Sequence, residues 1–204
     1  MDERVEKTIK ALEKHDFKAV YVKDRAEAEK LILELAEGCR SVGVGGTATV
    51  RATNAVEALR ERGIEVFDHW VETDPARSLA TRKAQMTADI FLTSANAVTM
   101  TGELVNREGV GNRTNAMTFG PGKVVVMVGI NKIVPDVTAG LERIKKIAAP
   151  KRARELNMKT PCVETGECQN CNSPQRICRI TVIHERRPSL TDITVIIVGE
   201  ELGN

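Results

Sequence analysis

"VGVGGTATV", residues 42–50, is the stretch on which the fold turns. It begins as an apolar strand, reaches glycines at Gly43, Gly45 and Gly46, and passes through Thr47 into small, helix-compatible residues. A strand that meets a helix through a glycine turn is the βα unit of an open α/β sheet. The turn serves two readings. Backbone N–H groups around Gly45, Gly46 and Thr47 can approach a phosphate or carboxylate where a helix begins. Alternatively the segment is a tight turn in which Thr47 or Thr49 caps the helix. It is neither G-x-G-x-x-G nor a phosphate loop with its lysine.

The same alternation recurs on both sides. Val5, Ile9 and Leu12 carry helical spacing, and "KAVYV" (18–22) is a β-branched run. Asp24 and Glu27 form a capping-box pattern before the apolar stripe of Ala28, Leu31, Ile32 and Leu35, which Gly38 ends. Downstream, Ala52, Ala55, Val56 and Leu59 mark a helix closed by Gly63, and "IEVF" (64–67) reads as the next strand. Residues 74–87 are helical, "ADIFLTSAN" (88–96) is a strand running into a polar turn, and "GKVVVMVGINKIV" (122–134) is a strongly apolar strand. A helix through Val137, Leu141, Ile144 and Ala148 should stop at Pro150, with a short one following through Leu156. "RITVIHER" (179–186) and "DITVIIVGEEL" (192–202) read as two closing strands. The expected fold is α/β: a mostly parallel sheet flanked by helices, in a single domain over residues 1–204.

Composition narrows the function. Aromatics are only 3% of the chain, which argues against a base-stacking platform, and 30 basic against 28 acidic residues leave no nucleic-acid footprint. The basic run "RIKKIAAPKRAR" (143–154) is an anion patch or a solvated helix face. No stretch approaches the ~18 apolar residues of a membrane span. The charged N-terminal segment is no secretory signal, so the expected location is cytoplasmic.

Residues 94–123, "SANAVTMTGELVNREGVGNRTNAMTFGPGK", are rich in Asn, Gly and Thr and read as a long decorated loop beyond the carboxyl ends of strands. With Gly43, Gly45, Gly46 and Thr47, the candidate ligand-binding residues are Asn96, Thr101, Gly102, Asn106, Asn112, Arg113 and Asn115, and Gly102 also allows a sharp turn. Arg113 is the candidate clamp for an anion, with a surface salt bridge as its alternative. Glu103 is the candidate catalytic carboxylate, as base or nucleophile, or else the cap of a turn. His69 could reach the cleft rim or be structural. His15 reads as exposed, His184 as structural. No H-E-x-x-H or G-x-S-x-G occurs.

Cys162, Cys168, Cys171 and Cys178 form C-x5-C-x2-C-x6-C in a segment (160–178) read as an irregular loop. Four thiolates suit a tetrahedral zinc ion, and sets of four cysteines also hold iron–sulfur clusters. The spacing matches neither a bacterial ferredoxin run nor a zinc ribbon. Redox pairing or plain buried thiols are the alternatives, and a cytoplasmic setting disfavours stable disulfides. Cys39 reads as a small core residue.

The run "ADIFLTSANAVTMTGELVNREGVGNRTNAMTFGPGKVVVMVGINKIV" (88–134) resembles the LUD (lactate-utilisation) domain family in its short, single-domain form. The likeness extends through "ERIKKIAAPKRARELNMKTPC", the cysteine loop and back to "VGVGGTATV", over roughly residues 5–200. It implies a CoA transferase-like fold, similar also to ribose-5-phosphate isomerase, glucosamine-6-phosphate deaminase and methenyltetrahydrofolate synthetase. It implies a cleft shaped by the "GVGGT" turn and the "MTGELVN" loop. A looser likeness to methylthioribose-1-phosphate isomerase-like proteins hints at a sugar phosphate. Longer LUD proteins are associated with oxidation of L-lactate to pyruvate within an iron–sulfur complex, which implies redox partner subunits. The resemblance carries over no catalytic residue. Relatives of the fold suggest a homodimer. The expected ligand is a small carboxylate or phosphate, and the competing roles are a lactate-utilisation component, a stand-alone enzyme on a sugar phosphate, CoA ester or nucleotide, and a sensor.

Overall fold

The computed structural model describes residues 2–204. The first half runs α1 (Glu3–Lys14), β1 (Lys18–Val22), α2 (Arg25–Leu35), β2 (Ser41–Val44), α3 (Ala48–Arg51), α4 (Ala55–Glu61), β3 (Glu65–Asp68), α5 (Pro75–Ala84) and β4 (Ile90–Thr93). Then come β5 (Ala97–Thr99), β6 (Leu104–Glu108), α6 (Asn112–Thr118), β7 (Lys123–Gly129), β8 (Ile133–Val134), α7 (Val137–Arg143), α8 (Ala149–Glu155), α9 (Pro161–Thr165), β9 (Ile180–His184) and β10 (Asp192–Val198).

Six strands form one parallel sheet in the order β1-β10-β7-β4-β2-β3. The expected α/β class therefore holds. The central strands are buried on both faces, which is why they read as unbroken apolar runs rather than alternating ones. Along β7, Val125 and Met127 pack with Ile32 of α2 and Leu59 of α4. Val124, Val126 and Val128 point the other way, to Leu12 of α1 and Met117 of α6. Each such fully buried side chain contributes about 1.5–3 kcal/mol.

Three expectations need correction. The closing strands do not stay together: β10, apolar after Asp192 except for Thr194, inserts between β1 and β7, in register from Asp192↔Lys123 to Val198↔Gly129. The less buried β9 joins a second sheet, β8-β5-β6-β9. Residues 94–123 are not one loop, because β5, β6 and α6 lie within them. The polar residues in and between these short strands, Thr99, Thr101, Glu103 and Asn106, disguised β5 and β6 as a polar turn.

Pro150 does not stop the helix. It sits in the first turn of α8, and the helical path reaches it through a π-turn over Ile144–Ala148. Within that turn the Ala149 N–H bonds to the Ile144 carbonyl. The next such bond would run from residue 150 to Lys145, but proline has no N–H. The Cys168 N–H takes the freed Lys145 carbonyl instead, at 3.0 Å. The cysteine segment is thus docked on the helix by the helix's own irregularity.

Candidate functional site

Four neighbouring parallel strands end at one edge and empty into one cleft of about 460 Å3. After β2 comes Gly46 and Thr47, after β3 His69 and Trp70, after β4 Ser94 and Asn96, and after β7 the turn that carries Lys132. This is the crevice that an open α/β sheet offers to ligands. Thr47 caps α3 through its hydroxyl, which accepts from the Thr49 N–H at 3.2 Å.

Lys132 is only 4% exposed. Its Nζ donates to Thr49 Oγ1 at 2.8 Å and Ser94 Oγ at 3.0 Å, and among the described residues it has no ion pair with a carboxylate. Burial, and then the charges of Arg143, Arg113 and Lys151, push its amine down to about 7. The pocket wall adds Arg82, Arg107, Arg113 and Arg152 against the carboxylates Glu72 and Glu108. Glu108 is already committed, to Arg113 Nε at 3.0 Å and to the hydroxyl and N–H of Thr114. The cleft therefore carries an excess of positive charge in a partly desolvated space, where charges act more strongly than in water.

His69 is held neutral. Gln85 Nε2 stands 2.9 Å from its Nδ1 and also faces the carbonyls of Val44 and Phe67. With the amide oriented so that Nε2 shares its two N–H groups among these three acceptors, Nδ1 accepts and Nε2 carries the hydrogen. Burial first, and then the Arg82 charge, push the imidazole down to about 4. Nε2 lies beside Gly46, 3.5 Å from where a Cβ would stand, and so presents an N–H to the cleft. Next to it, the Trp70 ring lies between the guanidinium groups of Arg51 (4.3 Å) and Arg152 (4.7 Å). Asp68, its side chain fully buried, bonds Arg51, Arg60 and the Trp70 N–H.

Of the residues singled out from sequence, Gly46, Thr47, Asn96, Asn112 and Arg113 line the cleft. Gly43 and Gly45 do not. A Cβ on either would meet the Phe91 ring, at 2.9 and 3.2 Å, so their smallness serves strand packing. Arg113 is placed as a wall rather than a free clamp: it donates to Glu108, the Ser94 and Arg107 carbonyls and Asn96 Oδ1, four of its five N–H groups. Thr101, Gly102 and Glu103 form the β5–β6 turn and are not among the lining residues; the Glu103 carboxylate bonds the hydroxyls of Thr99 and Thr101. The "MTGELVN" loop is thus replaced as a cleft wall by Arg107–Asn112 immediately after it. Asn106 is buried within β6, and Asn115 bonds Met86 Sδ. His15 is half-buried, its Nδ1 3.0 Å from the Gly102 carbonyl. His184 is buried, beside the Thr118 hydroxyl.

Lys132, Ser94 and Arg82 were not singled out, whereas Arg152 belongs to the basic run 143–154 read as an anion patch or a solvated helix face, and it lines the cleft. Lys132 had a signal: one lysine inside the apolar run "VMVGINKIV" is a poor fit for a sheet core unless it serves a site. Arg82 sits on an otherwise ordinary charged helix and had none.

All four cysteines of the C-terminal segment line one small cavity of about 20 Å3, with Ile177, Arg176 and Ala149. They are free thiols, with Cys162 on α9 and the turns between them made by Gly166 (φ 76°) and Asn170 (φ 45°). Burial first, and then the neighbouring charges of Cys168 and Cys162, raise the Cys178 thiol. Among the described residues no three of His, Cys, Asp or Glu stand at coordinating geometry. The all-sulfur donor set fits a soft ion, once the side chains rotate inward.

A family model for the LUD domain matches residues 5–198. A solved structure of a DUF162-family protein from Deinococcus radiodurans has the same fold, with a TM-score of 0.56 over 96% of each chain at 16% identity. No curated protein matches the chain.

Proposed function

The chain belongs to the LUD domain family, of lactate-utilisation-related proteins, and we propose that it binds a small organic anion in the cleft. In this reading the anion is a 2-hydroxy acid of the lactate type or its 2-oxo counterpart. The observation that carries it is Lys132: a buried amine bonded only to hydroxyls, in a cleft whose arginines outnumber the free carboxylates. A carboxylate would supply the missing counter-charge, and the His69 Nε2–H and the Ser94 hydroxyl would supply neutral hydrogen bonds for orientation. Oxidising a 2-hydroxy acid releases two electrons. The lysine, arginine, histidine and hydroxyl side chains of the cleft cannot accept them, so the reading assigns electron uptake to partner subunits.

A second reading, a sugar phosphate or similar ligand, is favoured by volume. At about 460 Å3 the cleft is far roomier than a three-carbon acid needs and falls in the range of cofactor-sized pockets. The four cysteines, in either reading, hold a thiolate-bound group: Cys162, Cys168, Cys171 and Cys178 would supply the ligands. A cavity of about 20 Å3 is nearer one ion such as zinc than a multi-iron cluster. Its role would be to fix the loop that covers α8.

Calorimetric titration with L-lactate, pyruvate and ribose 5-phosphate tests both readings. Binding should be lost in Lys132→Met. Binding of the carboxylates alone favours the first reading, binding of the sugar phosphate alone the second. Binding that Lys132→Met leaves unchanged would place the anion site elsewhere.

A further inference from the structure

We propose that Lys132 is a nucleophile, condensing with the carbonyl carbon of a small compound that also bears an anionic group. The proposal rests on the anion-cleft reading and adds a covalent step to it.

Geometry comes first. The turn after β7 plants Lys132 at the cleft floor, where its side chain is part of the lining although the residue is almost wholly buried. Its Nζ touches two hydroxyls, of Thr49 and Ser94. No carboxylate is paired with it among the described residues, so nothing locks the amine in its protonated form. The Ser94 hydroxyl donates to the Ala95 carbonyl at 3.2 Å, which leaves its lone pairs toward the lysine. A structural lysine would be expected to end in a carboxylate or in water. The depressed amine supports the same conclusion: at neutral pH about half of Lys132 is unprotonated, about a thousandfold more free amine than an ordinary lysine offers.

The chemistry balances without an outside oxidant or reductant. The amine lone pair adds to the carbonyl carbon, and the C=O π pair moves to oxygen, which takes up the proton that nitrogen releases. The resulting carbinolamine loses its hydroxyl with one further proton as water, and a C=N bond forms. Amine plus carbonyl compound gives imine plus water. The basic wall, Arg82 and Arg152 among it, would hold the anionic group, because Arg113 is largely committed. Two sources share this chemistry: a 2-oxo acid, and the open-chain form of a sugar phosphate.

The test uses the full chain with pyruvate in one arm and ribose 5-phosphate in the other, each with and without cyanoborohydride, which reduces an imine to a stable secondary amine. Intact mass should rise by one carbonyl compound less water plus two hydrogens. Peptide mapping should place the adduct on Lys132. The arm that labels names the source. Lys132→Arg, which keeps the cation, should lose the adduct. Because mapping is done on the wild-type protein, the result does not depend on that variant folding. Adducts scattered over surface lysines, or none, in protein that calorimetry shows to bind the same compound would overturn the proposal and leave the anion site standing. Absence of binding as well would overturn both.

Discussion

Replacing Lys132 with methionine should change how the protein's stability depends on pH. Burial, and then the charges of Arg143, Arg113 and Lys151, lower the folded amine from its ordinary 10.5 to about 7. The unfolded chain keeps the ordinary value. Between these two points the unfolded chain holds a proton that the folded chain has released, so stability rises with pH across that window. Below it both states hold the proton, and the buried charge weighs on the fold in full. Each pH unit is worth about 1.4 kcal/mol, and the whole span about 5 kcal/mol. Methionine fills a similar volume and does not titrate. Urea melts of both proteins at several pH values, extrapolated to water, give the comparison. Wild type should gain on Lys132→Met by about 1.4 kcal/mol per unit over roughly pH 7.5 to 9.5. Taking the difference cancels other groups that titrate nearby, such as the raised thiols of Cys39 and Cys178. A difference that stays flat with pH would refute the claim that this lysine sits desolvated among cations.

Other expectations test the surrounding frame. Burial raises Asp68, but the bonds from Arg51 and the Trp70 N–H and the charges of Arg51 and Arg60 outweigh it and leave the carboxyl lowered; Asp68→Asn should cost about 3 kcal/mol at neutral pH, and the deficit should shrink as acid protonates the wild type. Gly102, at φ 101°, would carry a Cβ 2.6 Å from the Ala11 carbonyl, so Gly102→Ala should lower stability by about 1–3 kcal/mol or more in thermal melts, while a residue of the cleft wall would instead alter binding. Gly46→Val should crowd Trp70 Nε1, 2.8 Å from the new Cβ, and abolish protection of the protein by bound anion against heat. Cys168→Ser, or chelation of wild type, should open residues 155–180 to protease while the six-stranded sheet keeps its circular dichroism; unchanged resistance would count against a bound ion.

The main sheet could be read from sequence because its signals are physical requirements of burial. "KVVVMVG" and "DITVIIV" have apolar side chains on both faces, and only a double-layered parallel sheet needs that. What sequence could not reveal was order. β10 lies last in the chain but inserts between β1 and β7, a choice made by long-range register that no local pattern encodes. The second sheet was hidden because β5 and β8 have only three and two residues, too short for period-two alternation to register. At the site, Gly46, Thr47, Asn96 and Asn112 were legible from their places after strands. Glu103 attracted notice as a carboxylate near a turn, yet its neighbours Thr99 and Thr101 make it a turn cap. Lys132 is masked by the apolar run 122–134, which reads as one strand although the chain turns at Ile130–Lys132.

Ile177 has one face on the cleft and another on the thiol cavity, and the adjacent helical residues Ala148 and Ala149 divide the same way. The two chambers share a party wall one side chain thick. Its other anchor is the Cys168 N–H on the Lys145 carbonyl. An ion that drew the four thiols together would reposition that partition, so occupancy on one side would be sensed on the other. Thermodynamics makes such sensing mutual: the factor by which a filled thiol cavity alters anion affinity is the factor by which the anion alters retention of the thiol-bound ion.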